Sequence, residues 1–272
     1  MHRKEPYMKK RCRLALLLAV LVLLLCSCAQ NNSGKFDSAV KLFAKGEYAE
    51  AAVAFEALGD YSTAPVYAAY SRGLVFYAQG QYAAAEPFFA QTREFMYGEE
   101  RYQYCHAYVL LEADEFEQAA AAFSAMEDFE DAPLMAEYCL ARFAEANKDY
   151  ESALYGYELA IDMLDAEDRL YNLQGQIYNR AITLKKEGNY PDAFTLFTML
   201  GDYLSAADQA IELKEAVLEQ QYTDAEALEA AGDLQGAFDL FFALSSYRDA
   251  ADRAQSLADI LGIEIKPGDS RY

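Results

Sequence analysis

Few side chains in this chain are of a type and spacing that could carry chemistry. Its two histidines are His2 and His106, and a lone histidine without a paired-cysteine motif makes no metal site. His106 stands beside Tyr104 and Ala107 in a helical pattern, where it is expected to pack or meet solvent rather than catalyse. The sequence has no glycine-rich phosphate loop, dinucleotide fingerprint, calcium loop or nucleophile elbow. Acidic pairs such as Glu99-Glu100 stand among 44 acidic residues, so some adjacency is expected without function. The chain therefore reads as a non-enzyme, with no catalytic residue, no metal ligand and no cofactor. Its reactive groups are thiols: Cys28 at the end of an apolar run, and Cys105 and Cys139, 34 residues apart.

Cys28 takes its meaning from residues 1–27. Arg3, Lys4, Lys9, Lys10, Arg11 and Arg13 precede an unbroken apolar run from Leu14 to Leu25, which ends in Cys26-Ser27-Cys28-Ala29. The run is short for a bilayer span and suits the apolar region of a secretory signal, so export is expected. Met8 begins a more typical signal than Met1. Leu25-Cys26-Ser27-Cys28 resembles the lipobox of bacterial lipoproteins, in which an aliphatic residue stands three before a cysteine and a small residue directly before it. Choosing Cys26 instead would put Leu25 at the small-residue site. The resemblance implies cleavage after Ser27, diacylglycerol on the Cys28 sulfur and attachment to the outer leaflet of a membrane. Two acyl chains are what stable anchoring requires. An ordinary signal peptide with an incidental cysteine is the alternative.

The composition, 54% hydrophobic and 25% charged over 272 residues, is that of a folded protein with ample apolar surface. From Cys28 onward the chain keeps 17 of 23 basic and 43 of 44 acidic residues, a formal charge of −26. Nucleic acid is excluded as a natural partner, because phosphate binding needs a basic stripe. The acids are scattered, as on a well-solvated surface, although the charge also favours a basic partner. Cys105 and Cys139 are expected to be buried thiols; a disulfide needs close Cα atoms that spacing alone does not supply.

The elements that position these groups follow from an internal repeat. Turn-like sites recur at Gly46, Gly80, Asp114, Lys148, Gly188 and Gly232, with spacings of 34, 34, 34, 40 and 44. Five residues after each stands Ala51, Ala85, Ala119, Ala153, Ala193 or Ala237, and nine after it Phe55, Phe89, Phe123, Tyr157, Phe197 or Phe241. Seven before it stands a small residue, Ala39, Gly73, Ala107, Ala141, Ala181 or Ala225, and ten before it an aromatic one, Phe36, Tyr70, Tyr104, Tyr138, Tyr178 or Tyr222. Spacings of three and four put these positions on one helical face, so each unit reads as two amphipathic helices joined by a tight turn. No such unit buries its face alone, and neighbours must stack. The fold class expected is all-α: an α-solenoid of about six helix-turn-helix repeats over residues 36–250, with a capping helix and tail over 251–272 and a short tether over 28–35.

The 34-residue period, the small residue of the first helix, the pattern Gly-x-Tyr-x-x-Ala and the later aromatic residue resemble the tetratricopeptide repeat. The chain departs from that family in having no tryptophan, and the family's usual proline after the second helix is not in place. Four units end instead in variants of Leu-Gly-Asp-Tyr-x-x-Ala, where aspartate or serine is expected to cap the next helix. Pro87 falls inside a second helix and is expected to kink it. The spacings of 40 and 44 imply longer helices or loops in the last repeats.

The resemblance implies that the chain binds a peptide or protein segment on the surface lined by the first helices. Positions three and six before each turn are the candidates: Val40, Phe43, Leu74, Tyr77, Tyr108 and Leu111 in the first three repeats. In the last three they are Arg142, Glu145, Ile182, Lys185, Glu226 and Glu229, charged at all but one. An exposed apolar strip is an interaction site by default; with the helix phase shifted by one, the same residues would be core. The expectation is a lipid-anchored adaptor outside the cytoplasm that holds an envelope protein. Its place would be the cell membrane, or the outer of two membranes, since Gln30 is not aspartate. The rival readings are a structural spacer and a cell-wall enzyme that uses acidic side chains.

Overall fold

The computed structural model describes residues 32–266; the signal segment and Cys28 lie outside the described residues. Among the described residues the chain is all-α, with thirteen helices and no strand. They are α1 (residues 32–44), α2 (Tyr48–Glu56), α3 (Ala64–Tyr77), α4 (Tyr82–Ala90), α5 (Gly98–Glu112), α6 (Phe116–Ser124) and α7 (Ala132–Ala146), followed by α8 (Tyr150–Leu159), α9 (Ala166–Glu187), α10 (Tyr190–Leu200), α11 (Ala206–Ala231), α12 (Leu234–Ala243) and α13 (Ala250–Leu261). Odd-numbered helices are the first and even-numbered the second members of the hairpins, which form an α-solenoid of repeats. From α2 to α6, and again from α8 to α13, each helix packs on the next in sequence. The chain divides into two compact units, one ending at Phe143 and one beginning at Ala144, a division not visible in the repeat pattern. Helix α1 is already formed at residues 32–35, which shortens the tether expected before Phe36.

The alanine and aromatic columns of the second helices are the core: all twelve side chains are fully buried. Small residues in both helices let backbones approach, and the rings fill the space beside them. In five repeats the aromatic residue of the first helix meets that of the second edge to face. The pairs are Phe36–Phe55, Tyr70–Phe89, Tyr104–Phe123, Tyr178–Phe197 and Tyr222–Phe241, with centroids 5.4–5.7 Å apart. A third ring, from the connector to the next repeat, joins the same first-helix ring in each: Tyr61, Phe95, Phe129, Tyr203 and Tyr247, at 5.2–6.2 Å. Such pairs contribute about 0.5–1.5 kcal/mol beyond their area, so the aromatic columns bind hairpin to hairpin as well as helix to helix.

Both turns of each repeat are left-handed. The hairpin sites Gly46, Gly80, Asp114, Lys148, Gly188 and Gly232 have φ between 60° and 85°, so Asp114 and Lys148 hold a conformation that glycine adopts without strain. Sixteen residues after each of them Ser62, Met96, Glu130, Leu164, Leu204 and Arg248 are left-handed too, with φ between 45° and 52°. Pro87 stands inside α4, which nevertheless keeps the nine residues of α2 and α6.

The expected capping by connector residues is corrected. Thr63, Asp165, Ser205 and Asp249 precede first helices without a side-chain cap. Three such residues meet a tyrosine 27 positions earlier instead: the Tyr104 hydroxyl donates to Asp131 and the Tyr222 hydroxyl to Asp249, while Tyr178 Oη and Ser205 Oγ lie 2.8 Å apart. At the equivalent place the Tyr97 backbone N–H donates to the Tyr70 hydroxyl at 3.3 Å. A buried phenol needs a partner, and the first residue of the next repeat supplies it. Three second helices, α8, α10 and α12, carry side-chain caps: Asp149 accepts from Ser152 N–H, Asn189 from Asp192 N–H and Asp233 from Gly236 N–H.

Cys105 and Cys139 are buried and unbonded, as expected. Burial disfavours the thiolate and pushes both thiols up to about 12. In the acylated chain at pH 8, maleimide is therefore expected to leave both cysteines unmodified in the native state and to label both in denaturant, read by intact mass. Native labelling at the rate of a free thiol would show that the unit containing them opens locally.

Candidate functional site

The six apolar groove candidates do not form one open strip. Leu74, Tyr108 and Leu111 are buried, while Val40, Phe43 and Tyr77 are half-buried. Phe43 packs edge to face with Tyr48 and Tyr67, Tyr77 with Tyr82 and Phe89, and Tyr108 stacks on Tyr82 at 4.0 Å. The charged positions are engaged as well: Arg142 with Asp114 at 3.4 Å, Lys185 with Glu212 at 2.8 Å and Glu226 with Arg253 at 2.6 Å.

A rule underlies these contacts. The residue three before each turn faces the residue 24 positions later, on the next first helix, and the two are chemically matched. Phe43 meets Tyr67 ring to ring, Glu145 pairs with Arg169 at 3.1 Å, Lys185 donates to Gln209 at 2.9 Å and Glu229 pairs with Arg253. Leu111 and Met135, both buried, occupy the same two positions. These columns are interhairpin contacts, and the sequence showed only their first members.

One pair breaks the rule. Arg101 occupies the position of Arg169 and Arg253, but its counterpart is Tyr77 rather than a glutamate. Its Nη1 donates to the Tyr70 hydroxyl at 2.6 Å, and its guanidinium lies 5.5–5.8 Å from the ring centroids of Tyr70, Tyr77 and Tyr97. Its Nε is buried without a partner, and it makes no ion pair among the described residues. Burial, with Glu130 nearby, raises the Tyr77 phenol far above its ordinary range, so that ring stays neutral and offers no countercharge. Beside this cation Met96 and Tyr97 are exposed, at 51% and 63%.

The irregular spacings build the clefts of the second unit. From the start of the first helix to its aromatic column there are six residues in α3, α5 and α7, against twelve in α9 (Ala166 to Tyr178) and sixteen in α11 (Ala206 to Tyr222). The additional turns of α9 line an open cleft of about 620 Å³ with Asp168, Tyr171, Asn172, Gly175 and Gln176; Asn179 and Tyr203 complete its wall. At one end of this cleft Glu145 and Asp165 are both held by the Arg169 guanidinium. The Tyr157 hydroxyl also donates to Glu145. The additional turns of α11 line a second cleft of about 540 Å³ with Lys214, Val217 and Leu218, against Phe194 and Leu240.

His106 is half-buried on α5, with Nδ1 2.8 Å from Glu86 and its ring stacked near Tyr102. No group of three or more histidine, cysteine or acidic residues that could hold a metal ion occurs among the described residues. The chain matches no known family model and no curated protein.

Proposed function

We propose that the chain is a lipid-anchored scaffold on the outer face of a bacterial membrane, which holds an envelope protein by receiving an acidic segment of it at Arg101. Arg101 carries this reading. It is a guanidinium without an ion-pair partner among the described residues of a strongly acidic protein, at a position where Arg169 and Arg253 each have a glutamate. It is rimmed by aromatic faces and by exposed Met96 and Tyr97, and arginine and tyrosine are the residues that anchor interfaces. The anchor rests on the lipobox-like Leu25-Cys26-Ser27-Cys28 and the basic and apolar segment before it. No helix of the described residues is long and apolar enough to cross a membrane.

A second reading, a spacer without a dedicated partner, draws support from the matched columns, in which the first helices fill their shared face with their own side chains. Capture from detergent-solubilised envelope after crosslinking separates the two. The scaffold reading expects a discrete co-purifying protein that Arg101→Ala removes while the melting curve is kept; equal recovery with both chains, or no specific protein, supports the spacer. The anchor is tested independently. Cys28→Ser is expected to abolish acylation and move the exported chain from the membrane to the soluble fraction, read by mass spectrometry and fractionation, and continued membrane association would remove that part of the proposal.

A further inference from the structure

We infer that the cleft on α9 is a carbohydrate-binding site, with an N-acetylated sugar oligomer as its ligand class. This goes beyond the scaffold reading and does not depend on it.

Asp168, Asn172, Gln176 and Asn179 stand at successive turns of α9, one polar head about every 6 Å along the axis. All four are exposed, and none uses its side chain in a hydrogen bond within the chain among the described residues. Each carboxamide presents a donor and an acceptor side by side, the complement of an acetamido group or a pair of hydroxyls. Tyr171 is 67% exposed, the most exposed aromatic ring among the described residues. It meets the Tyr203 ring edge to face at 6.2 Å, so an aromatic pair shares the cleft with the polar row. Gly175 lies beside this pair, where a Cβ would meet the Tyr203 hydroxyl at 3.4 Å in ordinary contact, so that only a larger side chain would crowd the cleft.

The chemistry of this lining selects among ligands. The one cation of the cleft, Arg169, is taken by Glu145 and Asp165, while Asp168 is free, so an anion or phosphate has nothing to bind and something to avoid. No aliphatic side chain lines the cleft, whereas a protein partner needs apolar anchors in well-packed pockets. A sugar ring offers what the cleft lacks a partner for: a flat C–H face to lie on tyrosine, and equatorial polar groups to bond planar amides and a carboxylate. The six residues by which this first helix exceeds those of α3, α5 and α7 supply part of this lining, and column residues Glu145, Arg169 and Tyr203 supply another part.

The test is calorimetric titration of the full mature chain, in detergent, with a tetramer of β-1,4-linked N-acetylglucosamine. Saturable binding is expected. Tyr171→Ala and Gln176→Ala should each weaken it about tenfold, and Gly175→Phe, which fills the gap without removing a polar head, should abolish it, with melting curves unchanged for the two exposed positions. Absence of saturable heat, binding indifferent to all three substitutions, or displacement of the tetramer by an uncharged peptide would overturn the proposal. The probe is a soluble sugar, so this result and the envelope-capture result stand or fall separately.

Discussion

Gly98→Ala is expected to destabilise the first unit by about 2–4 kcal/mol, although it installs the residue found at the same position of every other repeat. That position, eighteen after the turn, is Ala64, Ala132, Ala166, Ala206 and Ala250 elsewhere, all fully buried. At Gly98 a Cβ would stand 1.9 Å from the Thr92 carbonyl oxygen and 2.8 Å from its carbon. The obstacle is backbone, so no rotamer change relieves it; the connector from Thr92 to Tyr97, which carries left-handed Met96, would have to move. Helix propensity favours alanine by about 1 kcal/mol and is outweighed. Denaturant unfolding of the variant checks the sign: a midpoint at or above that of the parent would show that the connector yields freely.

Tyr104→Ala is expected to cost about 3–5 kcal/mol and Tyr104→Phe about 1–2 kcal/mol. The ring is 1% exposed and meets Phe123, Phe129, Tyr77 and Tyr82 with centroids 5.4–5.7 Å apart. Its hydroxyl donates to Asp131, directly before α7. Burial and that carboxylate raise the phenol well beyond its ordinary range, so it stays protonated and donating at neutral pH. Alanine leaves a ring-sized cavity between hairpins; phenylalanine keeps the ring and removes only the link to the next repeat. Equal costs for the two substitutions would mean that the hydroxyl, rather than the packing, holds the junction.

The fold was legible because each repeat writes its core twice, as a small residue beside a ring on both helices, and the hairpin turn falls on the same offset six times. Even Asp114 and Lys148, poor choices for a left-handed turn, were placed by their neighbours at fixed distances. Gly73 shows the limit of the column: it is glycine because the Phe89 ring stands 2.9 Å from where a Cβ would be, a contact that no spacing encodes. The groove was less legible. Positions three before each turn were identified as a coherent set, but whether a helical face meets solvent or the next helix depends on packing between repeats. The partner 24 residues later is apparent only once Glu145 with Arg169, and Glu229 with Arg253, are seen side by side. Aspartate and serine before the first helices looked like caps because their type allows it; the buried tyrosine hydroxyls, whose demand for partners is a tertiary fact, claimed them. The α9 cleft joins column residues Glu145, Arg169 and Tyr203 to turns added to a single repeat, and the lengthened spacing was its one signal.

Docking of an envelope protein at Arg101 is open to in-cell photocrosslinking from position 97, where the native Tyr97 is 63% exposed beside the guanidinium. One discrete crosslinked protein is expected in the parent chain and its loss in an Arg101→Glu background, with export and anchoring unchanged. Crosslinks confined to the chain itself, or a band indifferent to the charge at position 101, would contradict it and leave the spacer as the standing explanation.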